Sequence, residues 1–174
     1  IIMILIMIAL TACSAFFSAT ETAYLSFNQA KMKTLAASGD KRAQMVLSLY
    51  NDYDRLITSV LVGNNIVNIS LSSISTVLFI KFLGDMGATV STVIITVIVL
   101  IFGEITPKTV SKDFAESFAL STVYAVKAVI LIFYPLSFIF GLWQKLVDRI
   151  SNPPGESTVT EDEIITLVDE AEEG

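Results

Sequence analysis

The chain has 174 residues, 53% of them hydrophobic, with a mean hydropathy of +0.71 and a formal net charge of −6. Its apolar residues gather in long blocks rather than at amphipathic spacing, which excludes an ordinary soluble core and points to an all-α membrane protein. It has no histidine and one cysteine, Cys13, so no intrachain disulfide and no His/Cys cluster for zinc, haem or iron–sulfur can form; any metal must be held by oxygen.

Four blocks are candidates for bilayer segments, since about 20 apolar residues span the hydrocarbon. In chain order they cover roughly 1–24, 56–80, 88–111 and 114–143. The polar stretch 28–55, between the first two, reads as two short helices broken at Ser38-Gly39-Asp40, with Gly39 ending one and Asp40 capping the next. Lys31, Lys33, Lys41, Arg42 and Arg55 fall in it, so the positive-inside rule places this hairpin in the cytoplasm. The first block then runs outside to inside, the second returns, and the third comes back in, with Lys81 and Asp85 outside and Lys108 and Lys112 inside. A fourth crossing would put Lys145 and Arg149 outside, against the same rule. The fourth block also carries Glu116 and Lys127 and is expected to break at Tyr134-Pro135, so it reads as a juxtamembrane belt or re-entrant hairpin. The expectation is three transmembrane helices, N-terminus outside, C-terminus cytoplasmic.

The charge is unevenly spread. Residues 1–150 hold all 11 basic residues against 9 acidic ones, whereas residues 151–174 hold 8 acidic and no basic ones. Ser151-Asn152-Pro153-Pro154-Gly155 marks a linker between a membrane domain, 1–150, and an acidic tail, 151–174. Thr160 with Glu163 makes a capping box for a helix in that tail. The start at Ile1 and the acidic end suggest a piece of a longer protein.

Polar residues inside the blocks carry the chemistry. Pro107 has no N–H, and in an α-helix that N–H would bond the carbonyl of Gly103, so a free carbonyl stands beside the carboxylate of Glu104. A simpler reading is a proline kink with Glu104 paired to Lys108 at i,i+4. The first block places Ser14, Ser18 and Glu21 on one helical face; the second places Asn64 and Asn68 at i,i+4, with Asn65 adjacent. Each stripe alone could serve helix packing. Together they offer hydroxyl, amide, backbone carbonyl and carboxylate oxygens, a shell suited to a hard cation such as Na⁺, Mg²⁺ or Ca²⁺.

Three strings carry a resemblance: FFSATETAYLS (16–26), the hairpin from Lys33 to Ile69 with its GNNIVN, and GEITPK (103–108). SxxETA, GNNxxN and GExxPK in this order resemble the transmembrane domain of the CNNM/CorC magnesium transporters, over nearly the whole chain from Ser14 to the acidic run. The resemblance implies a homodimer of protomers with three transmembrane helices and a belt in the plasma membrane. It also implies a cytoplasmic CBS-domain pair following the acidic segment, and Mg²⁺ export driven by Na⁺ entry. Magnesium is then the substrate and sodium the coupling ion. Carried over position by position, Ser14, Ser18, Asn64, Asn68, Gly103 and Glu104 are the metal ligands. Glu21 and Asn65 are expected to orient them, Pro107 to bend the third helix, and Lys108 to follow it. No nucleic acid is expected as a partner.

Two other function classes remain open at this level. One is a membrane-embedded Mg²⁺-binding sensor or scaffold that regulates another transporter. The other is an intramembrane enzyme built on Ser14 or Ser18 with Lys108, which no oxyanion-hole signature supports. The expectation is that the chain is not an enzyme.

Overall fold

The computed structural model describes residues 1–151, and all of its regular structure there is helical. Two compact units divide the chain, Ile1–Phe138 and Ile139–Gly174. The expected linker at 151–155, the acidic helix after Thr160 and the tail lie outside the described residues, apart from Ser151. Helices α1 (Ile2–Ser26), α2 (Gln29–Ala37), α3 (Lys41–Asn51) and α4 (Tyr53–Leu83) are followed by a 3₁₀ turn, Gly84–Met86. Then come α5 (Gly87–Ile98), a π-helical segment (Val99–Ile105), α6 (Thr106–Asp113) and α7 (Ala115–Ser151).

Among the described residues, three helical stretches are long and apolar enough to cross a membrane: Ile2–Ser26, Tyr53–Asp113 and Ala115–Leu136. The second, at 61 residues, is about three times the length a bilayer needs. It folds back at the 3₁₀ turn, so that α4 and α5 pack antiparallel. Ser75 and Ser91 share a buried 2.8 Å hydrogen bond across that interface. Gly87 makes the fold-back sterically possible, because a Cβ there would lie 2.5 Å from the backbone of Ile80.

α1 is the hub of the first unit. It packs against α4 on one side and against the π segment and α6 on another. Its C-terminal end is covered by the α2–α3 hairpin, which docks through aromatic edges: Tyr24 on Phe27 at 6.0 Å, Phe27 on Tyr50 at 5.1 Å and Tyr50 on Tyr53 at 5.5 Å. Beneath those rings Met32, Ala43, Val46 and Leu56 are fully buried. The two short helices form where the sequence places them. Gly39, at φ +95°, donates to the Ala36 carbonyl and Asp40 donates to Leu35, the paired bonds that close a helix C-terminus. Asp40 then caps α3, accepting from the backbone N–H groups of Arg42 and Ala43 at 2.8 and 3.3 Å.

α7 departs from the expected break: the helix continues through Pro135. One lost backbone hydrogen bond does not end a helix whose neighbours hold it in place. Phe118 reaches the ring of Phe16 at 6.4 Å, while Phe133 and Phe17 both stand against Gly63. The first turn of α7 is tied down by Glu116, which accepts from the Asn28 backbone N–H at 3.1 Å and pairs with Lys31 at 3.7 Å.

The hairpin's cap has a pH signature. The hydrogen bond from the Arg42 N–H, helped by that of Ala43 and the Arg42 charge and only partly opposed by desolvation, holds the Asp40 carboxyl below its ordinary 3.8. Its stabilising contribution is therefore complete above pH 3.8 and disappears as pH falls through the lowered folded value. Hydrogen-exchange protection of the first turn of α3 is expected to fall in that acid range in the wild type and to be low at every pH in Asp40→Ala. Protection that ignores both changes would refute the cap's role.

Candidate metal centre

The polar stripes of α1 and α4 meet the π segment in the middle of the first unit. Ser14 and Ser18 are both fully buried, and Gly103 is buried opposite them. Ser14 Oγ donates to Asn64 Oδ1 at 3.1 Å, and Asn68 Nδ2 donates weakly to the same oxygen at 3.4 Å. A Cβ on residue 103 would stand 2.9 Å from Ser14 Oγ, so only glycine lets the π-segment backbone come this close to the serine. Ser14, Asn64, Asn68 and Gly103 are thus brought together from three parts of the chain.

What these groups leave unmade matters more than what they make. Hydroxyls on the helices of this protein generally bond back to the carbonyl four residues earlier: Thr11 to Met7, Thr20 to Phe16, Ser70 to Ile66, Ser73 to Ile69 and Thr92 to Ala88. Ser18 does not. Its hydroxyl and the Asn68 side-chain oxygen are buried with no hydrogen-bond partner among the described residues. Each such orphan costs about 1–3 kcal/mol unless something fills it. Two lie on the stripes from which an oxygen-ligated ion would draw its ligands.

Glu104 follows Gly103 in the π segment and is half-buried, with no hydrogen bond or ion pair among the described residues. Lys108, its candidate partner at i,i+4, pairs instead with Glu21 of α1 at 3.0 Å. This leaves one carboxylate uncommitted and ties the other to a lysine. Asn65 is exposed on α4, turned away from the hydrogen bonds of Asn64 and Asn68. Pro107 sits in the first turn of α6 and lines a cavity with Ala12, Ala15 and Ala19 of α1. No group of three or more His, Cys, Asp or Glu side chains capable of holding a metal occurs among the described residues. The donor set is neutral oxygens with a single carboxylate, which suits a hard cation and no soft one.

The π segment was not legible beforehand. The sequence reading expects one free carbonyl, at Gly103; the structure instead widens the helix over seven residues, with the Thr106 N–H reaching the Ile101 carbonyl five residues back. The available signal was Gly103 and Pro107 flanking a carboxylate, a pattern that also reads as a simple kink. The third buried orphan, the Tyr24 hydroxyl, was likewise missed, since a tyrosine beside apolar neighbours reads as core.

Because Ser18 has no partner, Ser18→Ala should leave the ion-free protein as stable as the wild type or raise its unfolding free energy by about 1 kcal/mol. Ser75→Ala, which orphans Ser91, should lower it by a similar amount. Thermal unfolding in detergent without divalent ions measures both; a clear loss of stability in Ser18→Ala would show that its hydroxyl is already satisfied.

Comparisons with known proteins find relatives along most of the chain. The family model described as the cyclin M (CNNM) transmembrane N-terminal domain matches residues 5–174. A UPF0053 protein of Haemophilus influenzae is 33% identical over 172 residues, covering 97% of this chain and 41% of that protein. The UPF0053 inner membrane protein YfjD of Escherichia coli is 30% identical over 162 residues, covering 91% of this chain and 38% of its own length. A more distant relative, 26% identical over 95% of this chain and 40% of its own length, is the polyamine export protein of Escherichia coli. The chain spans about two fifths of the length of these three relatives. An integral membrane protein with three long apolar helical stretches and these matches belongs to the CNNM transmembrane-domain family.

Proposed function

We propose that this domain transports Mg²⁺ through the site formed by α1, α4 and the π segment, in the direction of export and coupled to Na⁺ entry. The observation that carries the reading is the pair of buried, unpartnered oxygens, Ser18 Oγ and Asn68 Oδ1. Beside them stand Ser14, Asn64 and the Gly103 backbone, with Glu104 next in the chain. Ser14, Ser18, Asn64, Asn68 and the Gly103 carbonyl replace hydration waters, and Glu104 supplies the compensating charge. Glu21, held by Lys108 at 3.0 Å, keeps its charge away from the ion and braces α1 against α6. The π segment is the element whose register can change, because its hydrogen bonds are already offset from those of the α-helices on either side.

In this reading the α2–α3 hairpin is cytoplasmic, the chain crosses three times with its N-terminus outside, and α7 is the belt. The domain works as a homodimer ahead of a CBS-domain pair. Relatives named as polyamine export proteins raise a second cargo, since the same oxygens accept hydrogen bonds from a primary ammonium. A di- or polyamine carries several charges spaced along a chain, whereas one carboxylate near the site is free of an ion pair. The compact divalent ion fits that charge pattern better.

Reconstitution into liposomes tests the reading. Wild-type protein is expected to move Mg²⁺, and Glu104→Gln to reduce the flux at least about tenfold, the scale on which even indirect ligand changes act on metal sites. Undiminished flux in Glu104→Gln would contradict the site. Binding without flux would favour a sensor or scaffold, and flux of putrescine or spermidine in place of Mg²⁺ would reassign the cargo.

A further inference from the structure

Lys127 is unexplained by the cation site. It lies in the apolar part of α7, on a stripe with Leu120, Tyr124, Leu131 and Tyr134 at helical spacing, and no acidic residue occurs within a turn of it. Among the described residues it has no ion-pair partner. An ammonium in an apolar membrane helix is costly unless an anion meets it or it reaches the interface.

The structure supplies the setting for such an anion. Lys127 lines a cavity of about 510 Å³ together with Arg55 from the first turn of α4, Leu49 of α3, and Tyr124, Leu131 and Tyr134. The Arg55 guanidinium stacks over the Tyr134 ring at 4.3 Å and gives one N–H to Asp52 at 3.1 Å. Its remaining donors are unassigned, so two cations face one carboxylate, and the cavity keeps a net positive charge. Its outer wall is apolar and open: Tyr124 is 58% exposed and Leu131 76%. A soluble anion would have no use for that wall. A phosphate carried on an acyl chain uses both parts at once.

We propose that this cavity binds one anionic glycerophospholipid, with its phosphate between Arg55 and Lys127, its glycerol region against the tyrosines, and an acyl chain along Leu131 and Leu49. The tyrosines suit the boundary between head group and hydrocarbon, where an apolar ring with a polar tip is at home. The lipid would bridge the start of α4 to α7 without touching the cation site, so the inference stands or falls independently of the cargo.

Native mass spectrometry of the purified full chain, titrated with phosphatidylglycerol or phosphatidylcholine, tests it. The wild type is expected to retain one phosphatidylglycerol in clear preference to phosphatidylcholine. Each cation near a membrane surface changes the affinity for anionic lipid about fivefold, so Arg55→Gln with Lys127→Gln should weaken phosphatidylglycerol binding about thirtyfold. Lys127→Arg should keep the preference, and Lys81→Gln, at the far end of α4, should not alter it. If the double variant does not fold, Lys127→Gln alone, an exposed position, should still show the fivefold loss. Equal binding of the two lipids, an unchanged preference in the variants, or displacement of the lipid by millimolar inorganic phosphate would overturn the proposal.

Discussion

A buried oxygen inside a membrane helix pair has nowhere to find water, so it must be paired by the protein or by a ligand. In this chain that constraint centres on Ser18 and Asn68, whose oxygens are buried and unpartnered. The surrounding structure holds them in that condition. Ser14 and the Asn68 amide both spend their hydrogen bonds on Asn64, which keeps α1 and α4 in register while leaving the second oxygen of the set unused. A helix pair built only for packing would have let Ser18 bond back to its own helix, as Thr11 and Thr20 do on the same helix.

The same constraint accounts for the π segment and its glycine. The third wall of the site must bring backbone close to Ser14, which a Cβ at position 103 would prevent by standing 2.9 Å from the hydroxyl. Widening the helix over Val99–Ile105 offsets its hydrogen bonds just where the wall faces the polar stripes. One turn further on, Glu21 and Lys108 clamp α1 to α6 at 3.0 Å, fixing the end of the irregular segment. The clamp also decides a question of chemistry. With Lys108 occupied by Glu21, Glu104 is left as a carboxylate with no counter-charge paired to it among the described residues.

Much of this was readable in the residues, and the exceptions have physical causes. The break at Ser38-Gly39-Asp40 was legible because capping is local: a glycine and an aspartate dictate it without help from the rest of the fold. The stripes of Ser14, Ser18, Asn64 and Asn68 were legible because helical periodicity decides which residues share a face. Their meeting was not, since crossing angles and registers depend on packing between distant segments; Asn65, one residue from Asn64, is exposed. The sequence offered Glu104 as an alternative partner for Lys108 for the same reason, the i,i+4 neighbour being visible in sequence and Glu21 only in space. The Pro135 break failed because a proline removes only one backbone hydrogen bond from a helix that is otherwise continuous. The π segment hides behind residues that equally suit a kink.

The central claim is that the orphaned oxygens are ligands waiting for a hard cation. Isothermal titration calorimetry of Mg²⁺ into the detergent-solubilised protein, wild type against the double change Ser18→Ala with Asn68→Ala, addresses it most directly. The account predicts saturable binding in the wild type and at least about tenfold weaker binding in the variant, with the helical circular dichroism unchanged. Equal affinity in the two, or no binding by a folded wild type, would contradict it.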